Sequence, residues 1–79
     1  MNRAELNRAV CAVLTTLADV DATFAPESSL ALAIGLDKWP TVRSVLLAGS
    51  LVSIKGYSVT LTSKGRAAAD QIRAFMAAA

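Results

Sequence analysis

The stretch that decides the fold runs from Thr41 to Gly65 and reads TVRSVLLAGSLVSIKGYSVTLTSKG. Its first part has the apolar spacing of a short helix, and its middle part alternates apolar and hydroxyl side chains as β-strands do. Its last residues have the composition of a helix start. We therefore predict a short helix, a tight two-stranded hairpin and the beginning of another helix.

The register of the hairpin follows if Lys55-Gly56 forms a two-residue turn, because Gly56 can supply the positive φ that a primed turn needs. This register sorts the apolar residues onto one face and the hydroxyls onto the other. The predicted pairs are Ile54 with Tyr57, Val52 with Val59, Ser50 with Leu61 and Ser53 with Ser58.

Helical spacing of apolar residues predicts helices on both sides of this stretch. The predicted helices are Asn2–Ala18, Pro26–Leu36, Pro40–Ala48 and a last helix that Thr62 caps, and Thr23-Phe24 is predicted as a short extended piece. The predicted buried faces are Leu6, Val10, Val13, Leu14 and Leu17; Leu30 and Ile34; Val42, Val45 and Leu46; and Ala68, Ile72, Phe75 and Met76.

The size of the chain favours one domain over residues 1–79. A chain of 79 residues, 54% of them hydrophobic, lies near the lower limit at which an apolar core is stable alone. Because association would bury further surface, we expect a homodimer. Small residues of the outer helices are candidates for close contact between protomers, namely Ala9, Ala12, Ala69 and Ala74.

Cysteine and histidine content excludes several kinds of site. The single cysteine, Cys11, excludes an internal disulfide, and the absence of histidine removes the usual zinc sites and nucleophile pairs. We expect no metal, no cofactor, no small-molecule ligand and no enzymatic activity. The apolar run Val10–Ala18 is too short for a membrane span. It is interrupted by Thr15-Thr16, and Glu5 lies in the basic region that a signal peptide would need. We therefore expect no signal peptide, no membrane contact and a cytoplasmic location.

Charge is distributed unevenly along the chain. Residues 1–37 carry five acids and two bases, whereas residues 38–69 carry five bases and no acid. The five bases are Lys38, Arg43, Lys55, Lys64 and Arg66. A basic stretch of this kind is typical of a nucleic-acid-binding surface, although five solvated surface charges would give the same pattern.

The predicted elements are mainly α with a small β-hairpin, an α+β class, in the order α-(β)-α-α-β-β-α. This is the order of a winged helix-turn-helix, in which the helix before the hairpin reads DNA and the hairpin is the wing. The segment VTLTSKGRA, residues 59–67, resembles the V-x-L-T-x-K-G-R-x segment of MarR-like and related bacterial winged-helix regulators. LLAGSLV, residues 46–52, resembles their L-x-x-x-G-L-V passage, with Ser50 where a glycine is usual.

This resemblance implies a duplex-DNA-binding protein, as a transcriptional regulator or a component of a mobile element or phage. The wing is shorter than in MarR-like proteins and their additional dimerisation helices are missing, so a regulator of the full MarR type is not expected. Arg43 and Ser44 would face the bases. The candidates for contact with phosphate and sugar are Lys38, Thr41, Lys55, Tyr57, Lys64 and Arg66.

The outward face of the predicted reading helix has few side chains that read bases. It offers Arg43 and Ser44 beside Leu47 and Ala48, whereas base reading uses Arg, Asn, Gln and Lys. Leu47 either meets a thymine methyl or packs under the wing, and Trp39 is either a core residue or an exposed anchor for a protein partner. The alternative function is therefore a winged-helix protein-interaction module or inhibitor that does not bind DNA.

Overall fold

A computed structural model describes residues 2–19 and 25–78 of the chain. Its elements are α1 (Arg3–Asp19), β1 (Ala25–Pro26), α2 (Glu27–Ile34), α3 (Trp39–Ala48), β2 (Val52–Lys55), β3 (Ser58–Leu61) and α4 (Ser63–Ala78). The strands form an antiparallel sheet in the order β1-β3-β2. The fold is therefore mainly helical with a small sheet, which confirms the α+β class.

The hairpin forms where the sequence predicts it, but its predicted register is wrong. The observed pairs are Val52 with Leu61, Ser53 with Thr60, Ile54 with Val59 and Lys55 with Ser58. The turn is therefore Gly56-Tyr57, and Gly56 has φ +60° while Tyr57 keeps a negative φ. A positive φ at the first turn position alone is typical of a type II′ turn, which prefers Gly there. The predicted turn would instead have required a positive φ at Lys55.

The first strand lies one residue beyond the predicted extended piece. Ala25 pairs with Val59 and Pro26 pairs with Ser58, at the edge of the sheet where a proline is tolerated. The predicted piece Thr23-Phe24 lies outside the described residues. The next amide along the chain, that of Glu27, donates a hydrogen bond of 2.7 Å to the Tyr57 carbonyl oxygen in the hairpin turn.

The two short helices are joined by a tight turn. Helix α2 ends two residues earlier than predicted, because Gly35 has φ +116° and leaves helical geometry. Helix α3 begins at Trp39, one residue earlier than predicted, and the Trp39 amide donates to the Gly35 carbonyl at 2.9 Å. Pro40 is tolerated in this first helical turn, where amides have no partner within the helix.

The core lies where α1, α3 and the sheet meet. Leu14, Val42, Leu46 and Val59 are almost completely buried, and Leu30 of α2 is buried as predicted. Some predictions of burial are wrong: Val45, Phe75 and Met76 are exposed, and Ala69, predicted for an interface between protomers, is completely buried in the protomer's own core. On α1, Val13, Leu14 and Leu17 are buried as predicted, whereas Leu6 and Val10 are only partly buried.

Candidate nucleic-acid interface

Helix α3 presents a small and weakly polar outward face. With Val42 and Leu46 buried, Thr41, Ser44 and Ala48 are exposed on the other side. The Ser44 hydroxyl donates to the Pro40 carbonyl oxygen at 3.0 Å, so its single proton is already engaged within the helix. Leu47, on the same helix, is 38% exposed.

Arg43, the principal base-reading candidate, has an acidic partner that sequence reasoning missed. Its Nε lies 3.0 Å from Oε2 of Glu27, as an ion pair that lacks the alignment of a hydrogen bond. The Nε atom is buried, whereas the side chain as a whole is 42% exposed. The Glu27 carboxylate therefore covers the Nε edge of the guanidinium.

The same Glu27 oxygen accepts a hydrogen bond from the Trp39 indole, with Nε1 at 2.9 Å. Trp39 is only 6% exposed. It is a core residue with a satisfied indole N–H, so the alternative of an exposed anchor for a protein partner is wrong. Glu27 opens α2, while Trp39 and Arg43 are one turn apart on α3, and the carboxylate therefore fixes the two helices together.

The tip of the hairpin projects into solvent. Tyr57 is 88% exposed and Lys55 is also exposed. Although its side chain is free, the main chain of Tyr57 is held by the hydrogen bond from the Glu27 amide to its carbonyl oxygen. The tip is therefore fixed to the start of α2, and through the Glu27 carboxylate to α3.

The first turn of α4 is fixed to the end of α3. Thr62 caps α4 as predicted, since its Oγ1 accepts the Gly65 amide at 3.0 Å. The Thr62 hydroxyl also donates to the Ser50 carbonyl at 2.6 Å, and its amide donates to Leu51 at 3.1 Å. Lys64 and Arg66 are exposed on this turn.

Gly65 allows this close approach of the two chain segments. A Cβ atom at Gly65 would overlap the carbonyl oxygen of Leu51, which is main chain and has no rotamer to change. Ser50, where the MarR-like passage has glycine, adopts φ +56°, a conformation that favours glycine.

Lys38 lies apart from the other basic candidates. Together with Glu5 and Arg8 of α1 it lines a shallow depression between α1 and the α2–α3 turn. The structure therefore brings the hairpin tip, α3 and the first turn of α4 together through hydrogen bonds, and it sets the Lys38 side chain towards α1.

An apolar groove between α1 and α4 is a second feature that the sequence did not predict. It has a volume of about 640 Å³. The lining residues are Ala4, Asn7, Arg8 and Cys11 from α1 and Ala68, Gln71, Ile72, Phe75 and Met76 from α4. Phe75 is 77% exposed and Met76 is 65% exposed, although helical periodicity predicted both as core. We call this feature the α1–α4 groove.

Comparison with protein-family models, with curated proteins and with solved structures gave no match. Across residues 2–19 and 25–78, no three His, Cys, Asp or Glu side chains converge on a point where they would hold a metal ion. Within the same residues, no helix combines the length and the apolar character needed to cross a membrane.

Proposed function

We propose that this chain is a winged-helix protein that binds duplex DNA, with α3 as the reading helix and the β2–β3 hairpin as the wing. Its cellular role would be that of a cytoplasmic transcriptional regulator or a DNA-binding component of a mobile element or phage, without catalysis or cofactor. The observation that carries the proposal is that three exposed basic residues lie on segments held in place by hydrogen bonds. Lys55 is on the hairpin, whose turn accepts the Glu27 amide, and Lys64 and Arg66 are on the first turn of α4, which Thr62 joins to Ser50.

Contacts to the DNA backbone would supply most of the affinity. The outward face of α3 offers Thr41 and Ser44 as its uncharged polar groups, and the Ser44 hydroxyl is already bonded to Pro40. Phosphate contacts position a protein on the duplex but carry no sequence information. The expected behaviour is therefore tight binding at low salt, weak discrimination between sequences, and an affinity that falls steeply as salt rises.

The test is fluorescence anisotropy of a labelled mixed-sequence duplex over a range of salt concentrations. Replacing Lys55, Lys64 or Arg66 by Ala should reduce the slope of log affinity against log salt by about 0.9 each, the value for one phosphate contact. Arg3→Ala, which removes an exposed charge from α1, is the matched control and should leave the slope unchanged. An absence of duplex binding at low salt would contradict the proposal.

Protein binding is the second candidate, and exposed apolar residues on α2, on α3 and in the turn between them favour it. Leu32, Leu36, Val45 and Leu47 are all exposed to solvent. Such residues anchor protein interfaces, whereas they add little to phosphate contact. If the wild-type protein does not bind duplex, these four residues are the surface to substitute in partner-capture experiments.

We also propose that the protein is a homodimer in which the α1–α4 groove receives Phe75 of the partner subunit. A stable interface buries about 800 Å² from each partner, and a phenylalanine side chain contributes roughly 150 Å² of this. Met76, Ile72 and the remaining groove walls would supply further area in both protomers. This arrangement would cover the largest exposed apolar side chain of α4.

The mass in solution tests the dimer. The wild-type protein should sediment as a dimer at micromolar concentration, and Phe75→Asp should convert it to a folded monomer because a buried unpaired carboxylate is strongly unfavourable. Leu32→Asp, a change at an equally exposed apolar residue of α2, should leave the dimer intact. A wild-type protein that remains monomeric at all concentrations would contradict this part of the proposal.

A further inference from the structure

The ion pair between Glu27 and Arg43 lies at the centre of the proposed interface and has no role in the proposal above. An acid on a DNA-binding surface repels phosphate, so a carboxylate in contact with the reading arginine requires an explanation. Glu27 is in the first turn of α2, where a negative charge is favourable for the helix dipole. That location explains why an acid is tolerated there, but it does not explain the contact with Arg43.

The contact covers the Nε edge of the guanidinium, while the arginine side chain as a whole stays partly exposed. The Arg43 Nε atom is buried against Glu27 Oε2 at 3.0 Å, and the side chain is 42% exposed. An arginine binds a phosphate or a guanine edge with two parallel N–H donors, and its terminal nitrogens can form such a pair. Binding through the terminal nitrogens would leave the Nε edge with the carboxylate.

The carboxylate itself is held firmly. Its Oε2 accepts the Trp39 indole N–H at 2.9 Å, and the Glu27 amide donates to the Tyr57 carbonyl at 2.7 Å. A side chain whose rotamer is fixed before binding loses less entropy when it contacts its ligand. A flexible arginine on the same helix would lose this conformational entropy each time it bound DNA.

We propose that Glu27 is a positioning residue, which fixes Arg43 so that its terminal nitrogens are presented to the duplex. The inference rests on the proposed DNA-binding function. It makes Arg43 the main specific contact of an otherwise weakly polar reading helix, and it assigns Glu27 a favourable role in spite of its charge. The opposite arrangement, in which Glu27 withholds Arg43 from DNA, predicts the opposite sign of coupling between the two residues.

The experiment is a double-mutant cycle measured on a labelled mixed-sequence duplex at fixed low salt. The four proteins are wild type, Glu27→Gln, Arg43→Ala and the double variant. The Gln side chain retains an oxygen that can accept the Trp39 indole N–H but has no charge to hold Arg43. Because Trp39 is the only tryptophan in the chain, its fluorescence reports whether each variant keeps the native packing around residue 27.

Arg43→Ala should weaken binding about tenfold in the wild type, the effect of losing one bidentate contact. It should weaken binding less than about twofold in the Glu27→Gln protein, where Arg43 is no longer fixed. Lys64→Ala is the matched control and should cost the same factor with Glu or with Gln at position 27, since distant sites are additive.

A loss from Arg43→Ala that is equal in the two backgrounds, or larger in Glu27→Gln, would overturn the inference while leaving the DNA-binding function intact. Absence of duplex binding by all four proteins would overturn the function and the inference with it. Whether the wild-type protein binds the duplex therefore distinguishes a failure of the positioning role of Glu27 from a failure of the DNA-binding function.

Discussion

Helices α3 and α4 each have an apolar face with helical periodicity. The two faces differ in how much of them other elements of the protomer cover, α3 in the core and α4 at the α1–α4 groove. On α3 the stripe residues Val42 and Leu46 are completely buried. On α4 the corresponding residues Phe75 and Met76 are mostly exposed. Periodicity indicates which face of a helix is apolar, and burial of that face depends on an opposing element that periodicity does not reveal. The α1–α4 groove is the place where this second condition is not met within the protomer.

The largest expected effect comes from truncating one apolar side chain in each region. Leu46→Ala should lower the free energy of unfolding by about 2–5 kcal/mol, because it leaves a cavity in the core. Phe75→Ala should cost less than about 0.5 kcal/mol in dilute solution, where the side chain contacts mainly water. Urea denaturation of both variants at low protein concentration measures the difference.

An equal loss from Leu46→Ala and Phe75→Ala in dilute monomer would contradict the difference in burial between the two regions. A loss from Phe75→Ala that grows with protein concentration would sharpen the comparison, because it would show that a second protomer covers the groove.

A smaller effect is expected at Gly49, which follows α3, and at Gly65, which lies in the first turn of α4. Gly65→Ala should destabilise the protein by about 1–3 kcal/mol, since the added methyl group overlaps the Leu51 main chain and forces the two segments apart. Gly49→Ala is the matched control: its φ is −83° and an added Cβ would meet the Leu51 side chain at 3.4 Å. It should change stability by less than about 1 kcal/mol.

Thermal and urea unfolding of the two glycine variants measure this contrast. Equal stabilities for Gly65→Ala and Gly49→Ala would show that the contact between the end of α3 and the start of α4 is adaptable. The hydrogen bonds of Thr62 to Ser50 and Gly65 would then not fix the basic turn of α4 in place.

Local sequence signals predicted the class of fold and the cap of α4, where the Thr62 Oγ1 accepts the Gly65 amide. The first helix has a cap of the same kind, in which the Asn2 Oδ1 accepts the Glu5 amide at 2.8 Å. These features depend on residues three positions apart, so they are readable from the chain. The winged-helix interpretation extends beyond them and stays a proposal.

The hairpin register was mispredicted for a reason inherent in strand alternation. Each residue of β2 pairs with a residue two positions further along the chain than predicted. Val52 and Ile54 therefore have apolar partners in both registers. Side-chain faces alternate with a period of two, and sorting by face cannot distinguish these registers. The preference of Gly56 for the first position of a type II′ turn was the signal that distinguishes them.

The partner of Arg43 was missed because charge was counted in segments of the chain. Glu27 belongs to the acidic first part of the sequence, yet it contacts the basic stretch once α2 packs on α3. No local window contains both residues. The position of Glu27 in the first helical turn after Pro26 was visible in the sequence, whereas its direction towards α3 depends on tertiary packing.

The hydrogen bond between the Glu27 amide and the Tyr57 carbonyl makes the separation of the hairpin from α2 measurable. Amides in the first turn of a helix ordinarily have no partner within the helix and exchange their protons readily with solvent. Here that proton is released only when the hairpin separates from α2. The exchange rate of this single amide therefore gives the free energy of separating the hairpin from α2, without any ligand.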